Sequence, residues 1–173
     1  MSFQGVDFAS GVVPPVQPQE ASIRVAGEVA KAGELFGGLE AKYPVVRKLV
    51  AAGLIKGIVL HTRRKKSGHE ANYNPQTREI EVNNPNVSAG TLLHEIGHAL
   101  EEAAPEGWMH GAGWGAQQPS GSQYAAAGDP SEQFAEAFVH IIAGDAVGFH
   151  EHAPKQAKVV IGAHRALGSI SKA

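Results

Sequence analysis

The chain of 173 residues contains no cysteine. That single absence removes a disulfide framework, thiolate metal ligands and a cysteine nucleophile. Any metal site must therefore be built from histidine and carboxylate, and nine histidines with 17 Asp+Glu are available. No apolar stretch approaches the ~20 residues of a membrane-spanning helix, so no membrane span is expected. The opening residues MSFQGVDFAS show neither a basic n-region nor an apolar h-region. The chain thus reads as soluble and without a general-export signal, which leaves two addresses open: export by a dedicated secretion machine, or the cytoplasm. A strong charge of either sign is also missing. With 15 Lys+Arg the formal charge is −2, and this gives no electrostatic case for a nucleic-acid partner or an anionic membrane surface. The length suits one compact domain and is short for two.

Hydrophobic periodicity divides the chain. Residues 1–19 hold three of the ten prolines in GVVPPVQPQ and lack periodicity, so they read as a flexible proline-rich lead-in to a single domain over 20–173. Apolar residues at helical spacing predict helices over Ala21–Leu39 and Pro44–Leu54. GIVLHT, HEANYN and REIEVN read as short strands, the last two around the turn residues NPQT. In REIEVN, Ile80 and Val82 alternate with charged neighbours, and this strand is expected to be the sheet edge that accepts an extended substrate. Ser88 is suited to cap a helix over Ala89–Ala103. Residues 104–128 are glycine-rich and contain both tryptophans, which either wall a pocket or anchor the loop. Asp129, Pro130 and Glu132 together mark the start of a further helix, and residues 153–167 carry a last helical pattern.

The chemistry concentrates in TLLHEIGHALEE, residues 91–102. Positions i and i+4 of a helix lie one above the other, so His94 and His98 can present ring nitrogens to one ion. Glu95 lies about 100° further round the helix, placed to take a proton from a water on that ion without ligating it, the role of a general base. Gly97 costs about 1 kcal/mol relative to alanine in a helix interior, a poor choice unless another segment must approach closely. The plainer alternative is a pair of partly exposed histidines beside a chance glutamate. A catalytic zinc needs a third protein ligand and an open position. The metzincin pattern is excluded, because it requires a glycine at 101 and a histidine at 104, where Glu101 and Ala104 stand. SEQFAEAF instead offers Glu132 and Glu136, four apart on one face. One carboxylate can ligate while the other orients a ligand histidine. The competing readings are a capping-box role for Glu132 and a solvent-facing charge for Glu136. His110 is a loop alternative should Glu132 not ligate.

HEIGHALEE, Tyr124, SEQFAEAFVH and the HAPK at 152–155 together resemble the zinc protease domain of anthrax lethal factor and its relatives, a gluzincin-type family that includes the Pro-Pro endopeptidases. The likeness spans about residues 70–160 and is strong only at the two helices. It implies an α+β fold, a compact zincin-like metalloprotease domain, mainly helical with a small sheet and an HExxH active-site helix. It implies one Zn2+ per chain on His94, His98 and Glu132, with Glu136 orienting a ligand from behind. It further implies that Tyr124, eight residues ahead of Glu132 where the family usually has seven, stabilises the oxyanion. A loop aromatic covering the core is the alternative for Tyr124.

The expected function is therefore zinc-dependent hydrolysis of peptide bonds by a secreted bacterial effector or toxin, acting on a protein or peptide substrate, with proline-rich sequence as one candidate class. The alternative is a non-proteolytic zinc-binding interaction domain, against which the general base Glu95 argues. The four consecutive basic residues 63–66 read as a solvated hairpin tip. VVPPVQP, residues 12–18, resembles Pro-Pro endopeptidase substrates and raises self-cleavage between Pro14 and Pro15, although a stiff spacer explains it as well.

Overall fold

The computed structural model describes residues 18–61, 69–84, 86–110, 113–114 and 129–170. Tyr124, the basic run 63–66 and the Pro14–Pro15 segment lie outside them. Among the described residues, six helices and three strands follow in the order α1 (Pro18–Lys42), α2 (Pro44–Ala51), β1 (Gly57–Leu60), β2 (Ala71–Asn74), β3 (Glu79–Val82), α3 (Ala89–Glu101), α4 (Pro130–Ala143), α5 (Ala146–His152) and α6 (Pro154–Ile170). The architecture is mixed α and β, mostly helical, with one small sheet. The first helix begins at Pro18, within the expected lead-in, and α5 was not anticipated. Its start is nonetheless written in the chain, since the Asp145 side chain accepts from the Gly148 N–H at 2.9 Å as an N-cap.

The sheet corrects one expectation. Its strand order is β1-β3-β2, so REIEVN is the central strand and not an edge. β1 runs parallel to β3 and β2 antiparallel to it, with Ile58 and Tyr73 flanking Ile80. Alternation in β3 does what period two requires: Ile80 and Val82 are fully buried while Glu79 and Glu81 are not. In the folded chain Glu81 is engaged from both sides, by His61 just past β1 at 3.0 Å and by Asn74 of β2 at 3.1 Å. Cross-strand pairing thus lets a charged residue sit on an inner strand.

The β2–β3 turn is set by Asn74, whose side chain accepts from the Gln76 and Thr77 N–H groups at 3.0 and 3.3 Å, an Asx turn. It closes on Arg78 at φ +59°, a left-handed conformation that disfavours a side chain by roughly 1–2 kcal/mol. Arg78 is held there by a hydrogen bond to the Gly53 carbonyl at 3.3 Å and an ion pair with Glu102 at 3.2 Å.

Helix α3 is the central element, touching α1, α2, α4, α6 and both β2 and β3. It starts as the sequence predicts, with the Ser88 hydroxyl accepting from the Thr91 N–H at 3.0 Å, a cap of the kind worth ~1 kcal/mol. Leu92, Ile96, Ala99 and Leu100 are fully buried, and Phe134 and Phe138 of α4 meet them in the core with Ala157, Val160 and Leu167 of α6. Each large side chain so buried contributes about 1.5–3 kcal/mol of transfer free energy. The tryptophans resolve as anchors: Trp108 and Trp114 pack edge-on at 5.4 Å, and Trp108 lies 5.0 Å from the Phe134 ring.

Candidate metal centre

Gly97 explains how the two motif helices come together. A Cβ there would lie 2.8 Å from Ala135 Cα and 3.1 Å from its carbonyl oxygen, so the backbone of α4 occupies the space a side chain would need. The close approach anticipated from the glycine is the contact between α3 and α4. Because Ala135 lies between Glu132 and Glu136 on α4, this approach brings both carboxylates beside the histidines.

His94 Nε2 stands 3.0 Å from Glu132 Oε2, and His98 Nε2 stands 3.6 Å from Glu132 Oε1. One atom from each of His94, His98 and Glu132 lies within 4.8 Å of the others. These three could hold a metal ion, and among the described residues no other such group occurs. The donor set suits zinc: ligands at ~2.0–2.1 Å in tetrahedral geometry are roughly 3.3 Å apart, a spacing bracketed by the two observed separations. The rings of His94 and His98 sit 4.9 Å apart at 79°, as i and i+4 neighbours on α3. Behind them, His94 Nδ1 meets Glu136 Oε1 at 3.2 Å, while His98 Nδ1 lies 3.1 Å from Ser131 Oγ and 3.4 Å from Glu101 Oε2.

Charge and burial oppose one another at the imidazoles. Burial favours neutral rings, but the Glu136 contact and the nearby Glu95 and Glu132 carboxylates outweigh it and raise the pKa of His94. For His98, burial is likewise overcome by the Glu101 and Glu132 contacts, and its pKa is pushed up to about 10. The His98 contact holds Glu132 down to about 2, against the opposing effect of its own partial burial. The carboxylates thus favour protonated rings, and a metal binding to these nitrogens would displace those protons.

Glu95 lies beside these donors, nearly buried at 8% exposure. Its Oε2 accepts from the Tyr73 N–H at 2.7 Å, so the outer edge of β2 fixes the carboxylate. The centre opens into a cavity of about 760 Å³ walled by β2, α3 and the start of α4. Tyr73 also borders it, but its hydroxyl is turned to the Leu54 carbonyl at 2.7 Å and the Glu102 carboxylate; burial, then Glu102, raises its pKa.

The structure therefore brings together His94, Glu95, His98, Glu132 and Glu136, whereas Tyr124 lies outside the described residues. His110 is exposed and does not join the group. Ser131 and Glu101 escaped sequence reasoning. The i, i+3 spacing of Glu101 from His98 was a usable signal, but Ser131 looked like any residue in a first helical turn. No family model, no characterised protein and no solved structure matches the chain, so any statement about its activity rests on its own residues.

Proposed function

We propose that the protein is a zinc-dependent endopeptidase of the lethal-factor type, with His94, His98 and Glu132 as the metal ligands. The observation that carries this reading is Glu95, a carboxylate fixed beside the three donors in an open cavity of about 760 Å³. A structural zinc site is closed by a fourth protein ligand and has no use for a neighbouring base. Zinc bound there would supply a Lewis acid that polarises the scissile carbonyl and acidifies water. Glu95 accepts the proton of the attacking water and returns it to the leaving amine, while the Tyr73 N–H keeps one of its oxygens oriented. Glu136 holds His94 in place through Nδ1. Tyr124 donates to the developing oxyanion, a role whose loss commonly costs ~10²- to 10³-fold.

The substrate is a protein or peptide segment in extended form, with proline-rich sequence as a candidate class. It lies along β2, the edge strand bordering the cavity, where backbone groups other than the Tyr73 N–H held by Glu95 pair with it and side-chain pockets select sequence. Secretion as a bacterial effector or toxin belongs to the same reading.

The test is a proteome-wide search for new protein termini generated by the zinc-loaded protein, run beside Glu95→Ala. We expect Glu95→Ala to retain one zinc per chain and produce no cleavage. Equal cleavage by the variant would remove Glu95 from the chemistry. A zinc-loaded wild type that generates no new termini would leave a non-proteolytic zinc-binding domain instead.

A further inference from the structure

The two histidines of the centre are backed differently. His94 Nδ1 meets a carboxylate directly, Glu136 at 3.2 Å. At His98 the nearer hydrogen-bonding partner of Nδ1 is the hydroxyl of Ser131 at 3.1 Å, and the Ser131 hydroxyl lies 2.5 Å from Glu101 Oε2. The direct separation of His98 Nδ1 from Glu101 is 3.4 Å, longer than an ordinary N–H to oxygen hydrogen bond. One assignment of protons satisfies all three groups: the His98 Nδ1–H donates to Ser131 Oγ, and the Ser131 O–H donates to the carboxylate, which has only acceptors.

We propose that Ser131 and Glu101 are positioning residues that act as one relay, fixing the His98 tautomer with its proton on Nδ1 and Nε2 turned toward Glu132. This deepens the zinc reading and rests on it, since the relay has a purpose only where Nε2 must offer a lone pair. Three features make the relay rigid. Glu101 stands one helical turn after His98 on α3 and shares its face. Ser131 follows Pro130, and its N–H is bound by the Asp129 side chain at 2.9 Å. Glu132, the carboxylate that His98 Nε2 faces at 3.6 Å, is the next residue in the chain. The first turn of α4 thus carries the cap, the relay hydroxyl and a ligand in succession, and a displacement of that turn moves all three together.

Such outer hydrogen bonds are worth about 10- to 100-fold in metal affinity. The measurement is the zinc Kd, read by competition against a chromogenic chelator, together with the visible absorption of the cobalt(II)-loaded protein. The variants are Ser131→Ala, Glu101→Ala, the double variant and Ser131→Thr. We expect each alanine variant to weaken zinc by ~10-fold or more and shift the cobalt spectrum. The double variant should lose little beyond either single one, because both remove the same relay. Ser131→Thr, which keeps the hydroxyl, should restore affinity and spectrum, and this rescue separates positioning from a folding defect. Unchanged affinity and spectrum in Ser131→Ala, losses that multiply in the double variant, or failure of threonine to rescue would each overturn the relay. A wild-type protein that binds no zinc would instead overturn the metal reading and the relay with it.

Discussion

Along the α3–α4 contact, Gly97 admits the backbone of Ala135 and the surrounding Leu92, Ile96, Phe134 and Phe138 are fully buried. Along β2, the other wall of the same cavity, only Ala71 is buried and the neighbouring Asn72, Tyr73 and Asn74 are half-buried and polar. One wall is close-packed and the other is a half-buried polar strand whose edge meets the Glu95 carboxylate. The difference divides the labour: the candidate ligands are mounted where packing permits no alternative, and the facing wall of the cavity is polar and half-buried.

This contrast can be broken or sharpened by experiment. The largest effect is expected at the rigid wall, where Glu132→Ala removes a candidate ligand and should weaken zinc by more than the ~100-fold that outer partners command, as measured by equilibrium dialysis. Retention of full zinc would exclude Glu132 as a ligand. Gly97→Ala comes next. Alanine would gain about 1 kcal/mol of helix propensity, but its Cβ meets backbone that cannot rotate away, at an overpacking cost of about 1–3 kcal/mol. Denaturant melts should show net destabilisation with weakened zinc binding. Gly90→Ala, one turn before His94 on the same helix, meets only Ser88 Oγ at an ordinary 3.7 Å and should stabilise by less than ~1 kcal/mol. If both alanines stabilise alike, the α3–α4 contact is not the tight one.

Metal-free protein should show a pH signature of the ion-paired cluster. His98 is raised to about 10, so the stability from its pairing is complete below its ordinary value of 6.5 and is lost as pH rises through about 10. Glu132 is lowered to about 2, so its contribution is complete above its ordinary value of 4.5 and is lost as pH falls through about 2. The melting temperature of chelator-treated protein, relative to Glu132→Gln, should therefore peak between 4.5 and 6.5, by roughly 2–4 °C for each kcal/mol involved. A flat difference across pH 4–9 would show that the cluster adds nothing to the fold. The smallest effect belongs to the polar wall. Tyr73→Phe removes a hydroxyl directed at Leu54 and Glu102 and should cost ~1 kcal/mol of stability while leaving the zinc Kd unchanged; a changed Kd would tie that hydroxyl to the metal centre.

Most helices were legible because their evidence is local. Ser88 and Asp129 cap α3 and α4 as their residue types require, and the buried positions of α6 fall at helical spacing. His94, Glu95 and His98 were legible for the same reason, since one helical turn fixes their relation. The sheet order was not. Alternation in REIEVN reports which face of a strand is buried and carries no record of which strands lie beside it.

The sequence by itself determined most of the elements, the histidine spacing within α3 and the candidate carboxylates of α4, all of which depend on groups a few residues apart. Only the tertiary structure decided that Glu132 faces both histidines, that Glu136 stands behind His94, that the Tyr73 N–H holds Glu95 and that Ser131 lies between His98 and Glu101. Those contacts join residues 22 to 42 positions apart along the chain, and the ones between α3 and α4 lie where a glycine on one helix lets the backbone of the other come within reach. No periodicity encodes that approach; it is set by how two buried faces pack.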